Sequence, residues 1–326
     1  MIPPRPVVRT DGGRHEERTS RGMAARQSIV KDVRDVVRWH VWTRVRPSTR
    51  TRVAYELFAD DHDATTEGAY INLGYWEPGC SSLEEANEAL ADQLAQASGM
   101  GPGDHLLDVG FGLGAQDFFW WESRRPASIT GIDLTPSHVA AAQERAVAEG
   151  LTESLSFSEG SATDLPFEAE RFDRVTSLES ALHYDPRTTF FAEAFRVLKP
   201  GGTLAIGDII PLDLDGERSS TPRLAPQRKG SLSGGMPAAN WVPRAVYAEQ
   251  LEAAGFVDVE VRSIRDRVME PWLEYWQHKL AEDSFKSSVS RLFYSQVKRS
   301  LTSDAGMKGE LPALDFVIAS ARKPTA

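Results

Sequence analysis

The chain reads as an α/β protein: a mainly parallel, seven-stranded sheet with helices on both faces, a helical N-terminal extension and a lid-like insertion. Three observations predict it. Apolar runs of strand length alternate with stretches of helical periodicity between residues 105 and 210. The run Leu106–Val109 delivers three glycines at alternate positions, Gly110, Gly112 and Gly114, just before a helical pattern. Such a loop lets the backbone bend sharply and a ligand come close, where a Cβ would intrude. A second apolar run, SITGIDL, ends on Asp133, and a carboxylate at a strand end can accept both hydroxyls of a ribose.

Residues 1–27 carry Pro3, Pro4, Pro6, Gly12, Gly13 and many arginines, and are expected to form a disordered basic tail. Residues 28–98 are expected to form a helical cap and a presented loop. Ile29, Val33, Val36, Val37 and Val41 recur at helical spacing, and Val53, Leu57 and Phe58 resume it after Pro47. Trp39 and Trp42 share a helix face, suited to core packing or to a lipophilic contact. In YINLGYWEPG, Tyr75 and Trp76 follow a glycine ahead of a helix over 83–97, so they stand in a loop. Their faces would attract a cation, or would clasp the N-terminal helices to the body.

The body, 99–326, is predicted as strand 105–110, helix 115–123, strand 128–134, helix 136–149, strand 155–161, strand 172–179, helix 188–198 and strand 203–210. After Asp208 the periodicity stops. Residues 211–235 are rich in Pro, Gly and Ser, and a loop that long at the carboxyl end of a strand reads as a lid, extending to about 242. Helix 243–254, strand 257–264, helical material over about 270–300 and the strand LDFVIASAR, Leu314–Arg322, close the fold. The helices at 29–60 and 270–300 offer either a homo-oligomer interface or further closure over the crevice.

Composition narrows the function. The net charge is −10, with +7 on residues 1–50 and −17 on the rest. So acidic a body disfavours nucleic-acid binding, which needs basic patches to neutralise phosphates. No apolar run approaches the ~20 residues needed to span a bilayer. The single cysteine, Cys80, excludes an internal disulfide and a multi-cysteine metal site, and a cytoplasmic protein is expected. The seven histidines are scattered without ligand spacing, so no metal is expected.

The glycine loop alone also satisfies a dinucleotide fingerprint. Four companion segments follow it in order: SITGIDL, GSATDLPF (Gly160–Phe167), FDRVTSLESALHY (Phe172–Tyr184) and VLKPGGTLAIGD (Val197–Asp208). The series resembles the class I S-adenosylmethionine (SAM) dependent methyltransferases, a Rossmann-like fold. LHY and AIGD match, residue by residue, the His and Asp of natural-product sugar O-methyltransferases. The blocks 39–48, 58–80 and 293–324 are most similar to methyltransferases acting on the mycarosyl sugar of erythromycin-type macrolides.

That resemblance implies SAM as cofactor and a small-molecule macrolide glycoside as substrate, methylated on its 3''-hydroxyl in antibiotic biosynthesis. It implies His183 as general base with Asp208 as its orienter. It implies cofactor contacts from Tyr75, Trp76, Asp108, Gly110, Gly112, Gly114, Gln116, Asp133, Leu134, Ala162, Thr163 and Glu179. An aliphatic hydroxyl is a poor nucleophile until a base takes its proton, so an imidazole at the crevice suits the chemistry. A methyltransferase of the same fold working at O, N or C of another natural product, and a SAM-binding scaffold or cyclase, are the alternatives. Phe111 departs from the small or polar residue common in the glycine loop, and Trp120 and Trp121 add aromatic bulk behind it, as core fillers or as lining for a lipophilic glycoside.

Overall fold

A computed structural model describes residues 70–212, 236–288 and 291–325. The predicted tail, the N-terminal helices at 28–61 and the lid residues 213–235 lie outside the described residues. In chain order the elements are α1 (Leu83–Ser98), β1 (His105–Val109), α2 (Ala115–Arg124), β2 (Ser128–Asp133), α3 (Pro136–Ala148), β3 (Leu155–Glu159), β4 (Phe172–Leu178), α4 (Arg187–Val197), β5 (Leu198–Pro211), α5 (Arg244–Ala253), β6 (Val257–Ser263), α6 (Arg265–Lys279), α7 (Asp283–Ser288), α8 (Arg291–Thr302), α9 (Met307–Glu310) and β7 (Leu314–Arg322). Short 3₁₀ turns stand at Ala181–His183, Ala238–Asn240 and Leu311–Ala313.

The seven strands run in the order β3-β2-β1-β4-β5-β7-β6, with β7 antiparallel to both neighbours and the first five strands parallel. Strand order reverses between β1 and β4, so the loops after these two strands open a crevice at their carboxyl ends. The sheet carries a core on each face. On one side Leu90, Leu94, Phe118 and Trp120 pack with Phe157, and on the other Phe190, Phe191 and Ala194 pack with Tyr247 and Leu251. Both sides of the sheet are covered, which explains why β5 is buried almost continuously from Leu204 to Pro211 rather than at alternate positions.

Local chemistry sets the ends of the elements. Ser82 caps α1 by accepting the Glu85 amide at 3.1 Å, and Glu85 reaches back to the Ser81 amide at 2.9 Å. Gly99 closes the same helix in the left-handed conformation, φ 66°. Pro136 opens α3, where a missing N–H costs nothing. Trp120 is fully buried and its indole N–H donates to the Ala91 carbonyl at 2.9 Å, so it fills the α1–α2 interface. The strand expected over 172–179 stops at Leu178, because Glu179 takes a positive φ of 51° that breaks the ladder. The helical stretch expected near 270–300 is three helices, α6, α7 and α8.

Candidate active site

The crevice is lined at one end by Ile132, Asp133, Leu134 and Thr135 after β2 and by Gly160–Thr163 after β3. Its floor is the glycine loop, Gly110–Gly112 with Gln116. The other end is walled by Leu178, Glu179, Ser180, His183, Tyr184 and Asp185 after β4, and Ile71 and Asn72 cross above.

The three loop glycines adopt φ of 76°, 61° and 79°, a conformation costly for any residue with a Cβ. Gly110 is also pressed from outside: a Cβ there would lie 1.9 Å from Ser180 Oγ. Gly110→Ala is therefore expected to cost about 1–3 kcal/mol of stability and to displace the 180–184 turn. Chemical denaturation checks the first effect and S-adenosylhomocysteine affinity the second. A stable variant with undiminished affinity contradicts it.

Asp133 holds the loop in place while facing the crevice. Its Oδ2 accepts the Gly112 amide at 3.0 Å, its Oδ1 accepts the Thr135 amide at 2.8 Å, and His138 Nδ1 stands 3.4 Å from Oδ1. Beside it Leu134 is 51% exposed, an apolar face turned outward where solvent would otherwise disfavour it. Phe111 is buried against Phe157, ring centroids 4.9 Å apart, and also meets the crevice.

Beneath the loop, Asp108 is fully buried and accepts from Gln116 Nε2 at 3.0 Å and Thr176 Oγ1 at 2.9 Å. Gln116 donates in turn to the Phe111 carbonyl at 2.9 Å. Burial pushes the Asp108 carboxyl up to about 7, and burial with the neighbouring Asp108 charge raises Asp117 well above the ordinary carboxylate range.

Tyr184 passes under Gly110, its hydroxyl donating to the Val109 carbonyl at 2.9 Å. His183 sits half-buried on the 3₁₀ turn, facing the crevice. That turn is clamped from behind. Asn240 Nδ2 donates to the Leu182 carbonyl at 3.1 Å and the Tyr184 carbonyl at 2.6 Å, and Asn240 Oδ1 accepts the Arg187 amide at 3.0 Å. Arg187, 1% exposed, donates through Nε to the Ala181 carbonyl at 3.3 Å and forms an ion pair with Asp208, Nε to Oδ2 3.0 Å. Asp208 also accepts from the Tyr247 hydroxyl at 3.0 Å and from the amides of Ile209 and Leu182. Burial raises the Asp208 carboxyl while Arg187 and these donors pull it back down.

The structure brings Gly110, Gly112, Gln116, Asp133, Leu134, Ala162, Thr163, Glu179 and His183 to one crevice. Four expected cofactor contacts stand elsewhere. Tyr75 and Trp76 are not among the residues that line the crevice and pack against the core; the Tyr75 amide donates to the Ala86 carbonyl and the Trp76 amide to that of Arg267, both at 2.7 Å. Trp76 stacks 4.9 Å from Tyr275 instead, and Ile71 and Asn72 of the same loop take the crevice position. Asp108 braces the loop from below, and Gly114 caps α2 against Ala142. Asp208 is not among the residues that line the crevice; it meets Arg187, the Tyr247 hydroxyl and the Ile209 amide, and of the turn that carries His183 the Leu182 amide.

Sequence reasoning missed Asn72, Arg187, Asn240 and Tyr247. The first left a signal, since the Asn-x-Gly spacing marks a side-chain turn, here Asn72 Oδ1 accepting the Gly74 amide at 2.9 Å. The others meet Asp208 and the 181–184 turn from other elements, across as many as 58 residues, and left none.

The residues fit a SAM molecule on their own chemistry. A strand-end carboxylate, an outward apolar face at Leu134 and a glycine floor follow one another along the crevice. Asn72 Nδ2, in the crevice wall, is a buried donor with no acceptor among the described residues. Asp133→Ala should weaken S-adenosylhomocysteine about 10 to 10² fold, the worth of hydrogen bonds to a charged group, while turnover at saturating SAM changes little. Calorimetry with kcat measurement checks this, and an unchanged affinity refutes it.

Residues 107–206 match a family model described as a methyltransferase domain. The chain is 73% identical to the erythromycin 3''-O-methyltransferase of Saccharopolyspora erythraea, over 92% of this chain and 98% of that one. It is 28% identical to the 27-O-demethylrifamycin SV methyltransferase of Amycolatopsis mediterranei, over 83% and 95%. Among solved structures it resembles the [4+2]-cyclase SpnF, with a TM-score of 0.65, 24% identity, and 86% and 97% of the two chains covered. That last likeness concerns the fold. Sheet order, glycine loop, strand-end acid and near full-length identity agree: the chain belongs to the class I SAM-dependent methyltransferases.

Proposed function

We propose that this enzyme transfers the methyl group of SAM to the 3''-hydroxyl of the mycarosyl sugar of an erythromycin-type macrolide. The observation that carries the reading is 73% identity across 98% of a relative that bears that activity in its name. The bound cofactor supplies a methyl group on a sulfonium, a good leaving group, so the protein's tasks are alignment, exclusion of water and removal of one proton. In this reading Asp133 takes the ribose hydroxyls, Leu134 and Ala162 hold the adenine, and the Gly110–Gly112 backbone admits the methionine portion.

His183 accepts the proton of the acceptor hydroxyl as the oxygen attacks, being the crevice imidazole nearest in chain to the end of β4. Asp208 serves it at one remove. Its carboxylate holds the Leu182 amide and Arg187, and so fixes the turn from which His183 projects. Labelled methyl transfer from SAM to erythromycin C and D tests the whole. Incorporation at the 3'' oxygen is expected. Label in neither macrolide overturns the reading in favour of another acceptor, and no transfer to any acceptor favours a scaffold.

A further inference from the structure

Glu179 is a crevice carboxyl for which alignment and proton removal provide no task. It follows β4 in a left-handed conformation, φ 51°, which sets its side chain across the cleft toward the 71–73 loop. There Oε1 accepts the Leu73 amide at 2.7 Å. The residue keeps part of its surface open to the crevice, while its carboxyl is packed within protein.

The described elements around Glu179 bring it no balancing charge. β5 supplies Asp208, an acid; the 3₁₀ turn and its exit supply His183, Tyr184 and Asp185; the far wall supplies Asp133; and the 71–73 loop brings only Asn72 and Leu73. Among the described residues no cationic side chain pairs with it. A buried carboxylate with one amide donor and acidic company is expensive to charge. Burial first, then the Asp208 charge, push this carboxyl up to about 8.

The bound donor changes that balance. A donor with its ribose at Asp133 and its transferable methyl toward His183 would set its sulfonium at the end of the crevice that Glu179 and His183 both line. The product thioether lacks the transferred methyl and the positive charge, and of these two losses only the charge acts on a carboxyl's ionisation at a distance.

We infer that Glu179 is the residue by which the enzyme distinguishes SAM from S-adenosylhomocysteine: neutral in the free enzyme, it ionises against the incoming sulfonium and is reprotonated once the sulfur has lost its charge. The protons balance. Binding the cation releases one proton from Glu179 to solvent. Transfer forms the O–C bond and breaks the S–C bond, whose electron pair stays on sulfur, and the hydroxyl proton passes to His183. Glu179, now beside a neutral thioether in an apolar setting, takes a proton back from solvent, and His183 returns its own, leaving one proton released per turnover. The product then meets a neutral carboxyl, which removes the attraction that held the donor.

The inference depends on the cofactor crevice and not on the identity of the acceptor, so calorimetry without acceptor tests it independently of the macrolide. Titrations of SAM and of S-adenosylhomocysteine at pH 7, in phosphate and in Tris, give the protons released by each. Both ligands carry the same amino-acid end, so the difference isolates the sulfur charge. SAM should release more protons than its product, and the excess should vanish in Glu179→Gln, which keeps an oxygen for the Leu73 amide. In that variant the preference for SAM over product should fall by about tenfold, the worth of one pKa unit. Equal release by the two ligands in the wild type, or an excess that survives in Glu179→Gln, overturns the proposal. Should the variant fail to fold, the wild type still decides. The ratio of SAM to product affinity should rise with pH toward about 8 and then level off, and a flat ratio between pH 6 and 9 refutes the assignment.

Discussion

His183→Ala should lower kcat by about 10² to 10⁴ fold while leaving S-adenosylhomocysteine affinity within a few fold, the signature of a lost general base. The separation of effects follows from the crevice. The bonds that hold Asp133 and the glycine loop run to the Gly112 and Thr135 amides and from Gln116 to the Phe111 carbonyl, and none of them involves the His183 side chain. A side-chain truncation at His183 leaves the Asn240, Arg187 and Asp208 bonds intact, since all of them reach main-chain atoms of the turn or one another. Single-turnover methylation with saturating SAM is the decisive measurement. A rate within about threefold of the wild type removes His183 from the mechanism.

Arg187→Met should lower the stability of the fold by about 3–5 kcal/mol, the penalty for stranding a buried charge by removing its partner. Arg187 and Asp208 are 1% and 0% exposed, and their contact is 3.0 Å. With the guanidinium gone, Asp208 keeps the Tyr247 hydroxyl and two amides but no compensating charge. The pH dependence follows in sign. Burial raises the native Asp208 pKa, and without Arg187 it rises further, so the carboxyl destabilises the variant above its unfolded pKa and ceases to do so when protonated. The loss should therefore be greatest near neutrality and shrink on acidification. Urea denaturation at pH 5 and pH 8 measures it. Adding Asp208→Asn to Arg187→Met should recover part of the loss, because the stranded charge goes with it. A loss below about 1 kcal/mol at pH 8, or a double variant weaker than Arg187→Met, is inconsistent with a buried pair.

The surroundings of Asp208 show how far the sequence carries the site. The resemblance implies Asp208 as the orienter of His183, from a strand next to β4. Neighbouring they are, with Leu178 paired to Gly207. Nothing local to AIGD, however, says that a guanidinium from α4 and a phenol from α5 will close on the same carboxylate. The aromatic pair Tyr75 and Trp76 teaches the same lesson from the other side. Their presence in a loop was legible, but the direction in which they turn depends on two backbone bonds, to α1 and to α6, the latter 191 residues away in number.

Read alone, the amino-acid order was enough for whatever has a short period or a short reach: strands and helices marked by apolar spacing, a glycine loop whose φ values admit little else, and an acid placed where β2 must end. Those features rest on interactions within a few residues, and the polypeptide writes them consecutively. Tertiary structure alone decided which loop residues meet the crevice, that Asp208 closes on Arg187 and Tyr247, and that among the described residues no cationic side chain pairs with Glu179. Burial and charge pairing are properties of a neighbourhood, and here the neighbours come from segments tens of residues apart, brought together only when the sheet closes on both its cores.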